Sequence, residues 1–75
     1  MPYVLIQVTR EGITGAQKKA LIKGATDLVV RVLNKNPTQT FVVIEEVDLD
    51  NWGIAGMTVQ TYRRHERAMM DEAAE

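Results

Sequence analysis

The sequence predicts an α/β (α+β) fold: a single β-α-β unit with a short C-terminal hairpin, assembled into a homo-oligomer. Three features carry this reading. Residues 3–9 alternate aliphatic and mixed positions, residues 14–34 hold a capped helical repeat, and residues 40–47 are a β-branched apolar run. Two strands joined by a helix pair in parallel, with a crossover that is right-handed in nearly all proteins.

The first strand is expected over Tyr3 to Thr9. Val4, Ile6 and Val8 make one aliphatic face, against the mixed face of Tyr3, Leu5, Gln7 and Thr9. Arg10-Glu11-Gly12-Ile13 follows as a loop, punctuated by its glycine. Thr14 then stands as a helix N-cap, and Gln17 completes a capping box three residues later. The helical pattern continues to about Asn34, with Leu21, Ala25, Leu28, Val29 and Val32 as its apolar stripe. Pro37 ends it, because proline disfavours helical geometry at the residue before it.

Thr40 to Val47 is the second strand. Its continuous run Phe41-Val42-Val43-Ile44 predicts a strand covered on both faces. Asp48 to Asn51 is a turn, and Trp52-Gly53-Ile54-Ala55-Gly56 opens a tight hairpin that returns through Met57 to Val59. Tyr62 to Glu75 is charged and rich in Ala and Met, a frayed helix or a tail. A two-stranded sheet under one helix leaves strand edges and one face open, so the pattern calls for a partner, most simply copies of the same chain.

Length and composition agree. Seventy-five residues make one domain with a small core, and zero cysteines exclude disulfides and thiolate metal sites as its support. Oligomerisation is the remaining common route to stability. A formal net charge of −1 argues against nucleic acid or an anionic membrane as partner. No apolar stretch approaches the ~20 residues of a membrane span, and the first apolar run has no basic leader before it. A soluble, cytoplasmic protein is expected.

Chemistry is concentrated at the N-terminus. Initiator methionine is normally removed before a residue as small as proline, which would leave Pro2 with a free secondary amine. Apolar neighbours at the head of a strand disfavour the charged form of that amine and lower its pKa toward neutrality. The product is a general base matched to pH 7. Met-Pro beginnings are common, and most such prolines do no chemistry.

Pro2, Glu11-Gly12 after the first strand, Gln17-Lys18 in the first helical turn and Trp52-Gly53-Ile54-Ala55-Gly56 occur together in one short chain. In that order and spacing the sequence resembles the 4-oxalocrotonate tautomerase family, the small tautomerases with an N-terminal catalytic proline. The resemblance covers the chain through about Arg64. It implies a tautomerase-like β-α-β domain over residues 1–64, with 65–75 as a C-terminal tail or frayed helix. It also implies a hexamer built as a trimer of dimers, and keto–enol tautomerisation of a small enol or dienol acid without cofactor or metal. A 2-hydroxymuconate-like or arylenolpyruvate compound is the implied substrate, and the implied activity is that of an isomerase. Carried onto this chain, Pro2 is the general base and Trp52 stands where the family keeps an active-site aromatic.

The chain departs from the family where substrate is held. Ile13 replaces the arginine that follows the Glu-Gly pair, and Phe41 replaces a second arginine early in the second strand. Arg10, three residues before Ile13, is the candidate substitute, since its guanidinium can meet a carboxylate with two parallel bonds. The competing reading of Arg10 is a solvated loop cation. Tyr3 can donate a hydrogen bond beside the base or simply pack on the strand. Glu45 and Glu46 can activate water, as the hydratase, dehalogenase or decarboxylase branch of the superfamily requires, but glutamates ending a strand are more often solvated. His65 has no second ligand at metal spacing, and the basic run around it is offset by Asp71, Glu72 and Glu75. Loss of both arginines also leaves room for an idle oligomeric binding module.

Overall fold

The computed structural model describes the backbone of residues 1–73 and the side chains of residues 1–70. β1 (Tyr3–Thr9) and β2 (Phe41–Val47) pair in parallel, in a register running from Tyr3 opposite Phe41 to Thr9 opposite Val47. Between them lie α1 (Gly15–Leu33) and a 3₁₀ turn at Pro37–Gln39. The N-terminus of α1 is closed by the expected reciprocal cap. The Gln17 amide donates to Thr14 Oγ1 at 3.1 Å, and the Thr14 amide donates to Gln17 Oε1 at 2.9 Å. Asn34 ends the helix in the left-handed region (φ 53°), which asparagine tolerates better than most residues.

α1 packs against β2 on the sheet face carrying Val4, Ile6, Val42 and Ile44, all half-buried. Lys18 in its first turns reaches Glu46 on that face, Nζ to Oε2 2.9 Å. The helical stripe differs from the sequence expectation. Ala25 and Val29 turn inward with Thr26 and Val30, whereas Leu21, Leu28 and Val32 stay exposed. The reason is width: a two-stranded sheet is too narrow to cover an apolar arc as broad as the one this helix carries.

β2 also differs from the expectation of cover on both faces. Its apolar run divides between an inner face and an open one, where Phe41 and Val43 stand beside Tyr3 and Leu5. Among the described residues nothing covers that second face.

After β2, a 3₁₀ turn at Leu49–Asn51 leads into β3 (Gly53–Ile54) and β4 (Met57–Thr58), a minimal antiparallel hairpin. Its two turn residues, Ala55 (φ 55°) and Gly56 (φ 78°), are both left-handed, as the tightest hairpin turns require. Val59 was expected to close the returning strand. It instead opens α2 (Val59–Ala73): its amide still completes the hairpin by donating to the Trp52 carbonyl at 2.9 Å, while Thr58 caps the helix, its Oγ1 accepting the Thr61 amide at 3.4 Å. α2 runs unbroken through the boundary expected at 64/65, and residues 74–75 lie outside the described residues. Among the described residues Val59 is the only buried apolar side chain, at 6% exposure, and no helix is long and apolar enough to cross a membrane.

Candidate active site

Pro2 precedes β1 and is half-buried, and its carbonyl accepts the Phe41 amide at 3.0 Å. This bond fixes the N-terminal end of the chain to the first residue of β2. Tyr3, the next residue, turns its ring onto the open sheet face opposite Phe41 and is 61% exposed.

Arg10 lies at the other end of β1. Its amide donates to the Val47 carbonyl at 2.7 Å, prolonging the ladder by one bond. Its guanidinium is spent on β2 and the turn after it: Nε donates to Asp48 Oδ1 at 2.8 Å and Nη2 to the Glu46 carbonyl at 3.3 Å. Glu46 is therefore not the solvated strand-end glutamate expected from sequence. Its half-buried carboxyl is held below the usual carboxylate range, chiefly by the Lys18 bond and also by Arg10. Glu45, one residue earlier, faces outward.

Trp52 is carried by the turn after β2 and borders an open cavity of about 440 Å³. Val8 and Thr9 from the end of β1, Ile54 from the hairpin, and Val59 and Tyr62 from α2 complete its uncharged walls. Arg63 and Glu66, also on α2, are its charged lining. Arg63 grips Glu11 with two prongs, Nη1 to Oε1 2.5 Å and Nη2 to Oε2 3.2 Å. The Thr9 hydroxyl donates to the same carboxylate. Arg63 first, then Thr9, lowers the Glu11 pKa from 4.5 to about 2.

Within one chain these residues fall into two groups. Pro2 and Tyr3 stand at the head of β1, while Arg10 and the Trp52 cavity stand at its foot. At about 3.3 Å per residue, the strand sets Pro2 and Arg10 roughly 26 Å apart. Sequence reasoning did not find the Glu11–Arg63 pair, whose members are 52 positions apart and meet only because α2 folds back beside the loop after β1. His65 is exposed on α2, near Met69 and Met70.

Comparison with known proteins agrees with this architecture. The sequence pattern of the Tautomerase family, described as tautomerase enzyme, matches residues 2–62. A probable tautomerase K2 of Dickeya dadantii is 53% identical over 64 residues, covering 85% of this chain and 96% of that protein. A 2-hydroxymuconate tautomerase of Pseudomonas putida is 38% identical over 64 residues, 85% of this chain and 100% of its own length. Among solved structures, DmpI of Helicobacter pylori superposes with a TM-score of 0.78 at 43% identity, covering 84% of this chain and 97% of that one. A 4-oxalocrotonate tautomerase isozyme of Methylibium petroleiphilum gives 0.77 at 28% identity, over 85% and 98% of the two chains. A parallel β-α-β unit with a C-terminal hairpin, a proline in second position and these relatives over nearly their full length have one common meaning: the chain is an isomerase belonging to the 4-oxalocrotonate tautomerase family.

Proposed function

We propose that this protein is a cofactor-independent keto–enol tautomerase of small enol or dienol carboxylic acids, with the amino-terminal Pro2 as its general base. The observation that carries the reading is the placement of Pro2: half-buried at the head of β1, with its backbone tied to Phe41. Once Met1 is removed, that fixed position presents a secondary amine. Its lone pair takes the enol hydroxyl proton, and a proton is returned to a conjugated carbon, so the substrate is isomerised with nothing added or lost. The negative charge passes through the dienolate, which a nearby cation stabilises.

The separation of Pro2 from the Trp52 cavity favours a site shared between copies. The sheet order leaves β1 with one free edge, and its open face carries Tyr3, Leu5, Phe41 and Val43. A strand that pairs with its own copy about a two-fold axis must do so antiparallel. Centred on Ile6, such a pairing sets Pro2 of one chain opposite Arg10 of the partner subunit. Strand spacing is about 4.8 Å, so the amine then stands beside the partner's Trp52 cavity. Trp52 supplies an apolar wall there, while Arg10, held by Asp48 and Glu46, stands at the edge of the site. A homo-oligomer, with the hexamer as the leading form, and action in the cytoplasm complete the reading.

Intact mass and tautomerase rate measured on the same preparations test it, with phenylenolpyruvate and 2-hydroxymuconate as substrates. The rate is expected to follow the fraction of chains that begin at Pro2. With Met1 attached, the proline nitrogen is an amide and cannot accept a proton. Full activity in a wholly unprocessed preparation would remove Pro2 as the base.

A further inference from the structure

We infer that the Trp52 cavity is a monocarboxylate site whose anchoring residue is Arg63, and that Glu11 occupies the ligand's place while the site is empty. The ligand class, a planar or aromatic acid, rests on the tautomerase reading; the assignment of Arg63 rests on geometry. Arg63 lines the same cavity as Trp52, Ile54 and Tyr62, so an apolar body and a carboxylate can be held together. Arg10 does not line that cavity, and its guanidinium is engaged by Asp48 and Glu46. Arg63 already holds a carboxylate in the two-pronged geometry that guanidinium groups use for such ligands, at 2.5 and 3.2 Å.

The carboxylate it holds is exchangeable. Glu11 sits on the loop between the end of β1 and the Thr14 cap, followed by Gly12 in a left-handed conformation (φ 89°). Both partners are partly open to solvent, with side-chain exposures of 49% for Arg63 and 41% for Glu11. An incoming carboxylate therefore trades one exposed ion pair for another, a nearly balanced exchange to which the apolar walls add net affinity.

Glu66 gives the site its charge preference. It lines the cavity one helical turn after Arg63, so a single positive group faces a negative one. A ligand with one carboxylate meets Arg63 alone, whereas a second carboxylate is repelled by Glu66. This fits a chain with Ile13 and Phe41 where its relatives of dicarboxylate activity place arginines.

Trp52 is the only tryptophan, so its fluorescence reports binding without turnover. The assembled full-length protein is titrated with phenylacetate, phenylacetamide and phenylmalonate. Phenylacetate is expected to bind about tenfold or more tighter than the neutral amide, the preference of a charge-assisted bond. Arg63→Ala and Arg63→Lys should weaken phenylacetate and leave the amide unchanged, with the lysine variant retaining part of the preference. Glu11→Gln should tighten phenylacetate by removing its competitor, and Glu66→Gln should improve phenylmalonate. Equal phenylacetate affinity in wild type and Arg63→Lys, or no preference for the acid over the amide, overturns the assignment. If Arg63→Ala fails to fold, the lysine and Glu11→Gln variants still decide it, since they must move affinity in opposite directions. A protein that binds as described yet catalyses no tautomerisation overturns the Pro2 reading alone.

Discussion

The Phe41 amide donates to the Pro2 carbonyl oxygen at 3.0 Å, so the head of the chain is held through an atom that no change of its nitrogen or side chain removes. Position and chemistry at residue 2 are thereby separable. Pro2→Ala keeps the tether and, once processed, still presents an α-amino group, though a primary one of different basicity. Its kcat/KM with phenylenolpyruvate should fall about 10- to 100-fold, less than the roughly 100- to 10,000-fold that general base catalysis contributes because an amine is kept, with an unchanged far-UV spectrum. Unchanged kcat/KM would show that the proline ring adds nothing to an α-amino group held at this place.

Self-association follows from the open face and free edge of the sheet. Sedimentation equilibrium at micromolar concentration should give a multiple of 8.4 kDa, and specific activity should fall on dilution below the dissociation constant of the assembly. A folded, fully active 8.4 kDa species would contradict both the assembly and the shared site.

The Glu11–Arg63 pair fixes a pH dependence with a definite sign. The folded-state pKa of Glu11 is depressed from 4.5 to about 2, so its contribution to stability is complete above about pH 4.5 and is lost as pH falls toward 2. Urea denaturation midpoints of wild type and Glu11→Gln should therefore differ at pH 7 and converge toward pH 2. A gap that widens on acidification would show that the pair does not hold in solution.

Ala55 carries a backbone conformation that alanine dislikes. It occupies the first turn position of the β3–β4 hairpin with φ 55°, where asparagine followed by glycine is the preferred pair. Ala55→Asn should stabilise the protein by about 0.5–1 kcal/mol, measured as a rise in the urea midpoint at constant slope. A lower midpoint would mean that the alanine methyl has a packing role in the assembled protein.

β1, α1 and β2 were legible because their signals are local. Period-two alternation, a capping box four residues long and a helix-ending proline each act within a few positions. α2 was harder to read, since Tyr62 to Arg67 is mostly charged and the capping residue, Thr58, is at the same time the last residue of the hairpin. For the proposed site, Pro2 came from the chemistry of an amino-terminal proline and Trp52 from the family resemblance. Arg63 did not, because its meaning depends on where α2 lies against the loop at Glu11. The inner and outer faces of β2 were indistinguishable in sequence for a related reason: Phe41 and Val43 are apolar like Val42 and Ile44, yet nothing among the described residues covers them.

Val59 as the single interior side chain among the described residues reverses the usual reading of exposure. Under the proposed assembly, a subunit borrows its interior from its neighbours, so folding and association form one equilibrium and the melting temperature climbs with protein concentration. Leu5 and Val43, open to water in the isolated chain, then become the residues least able to accept a charge, while exposed polar positions of α1 such as Lys19 and Arg31 tolerate replacement. Under that assembly the exposed apolar surface is the core, seen before its other half arrives.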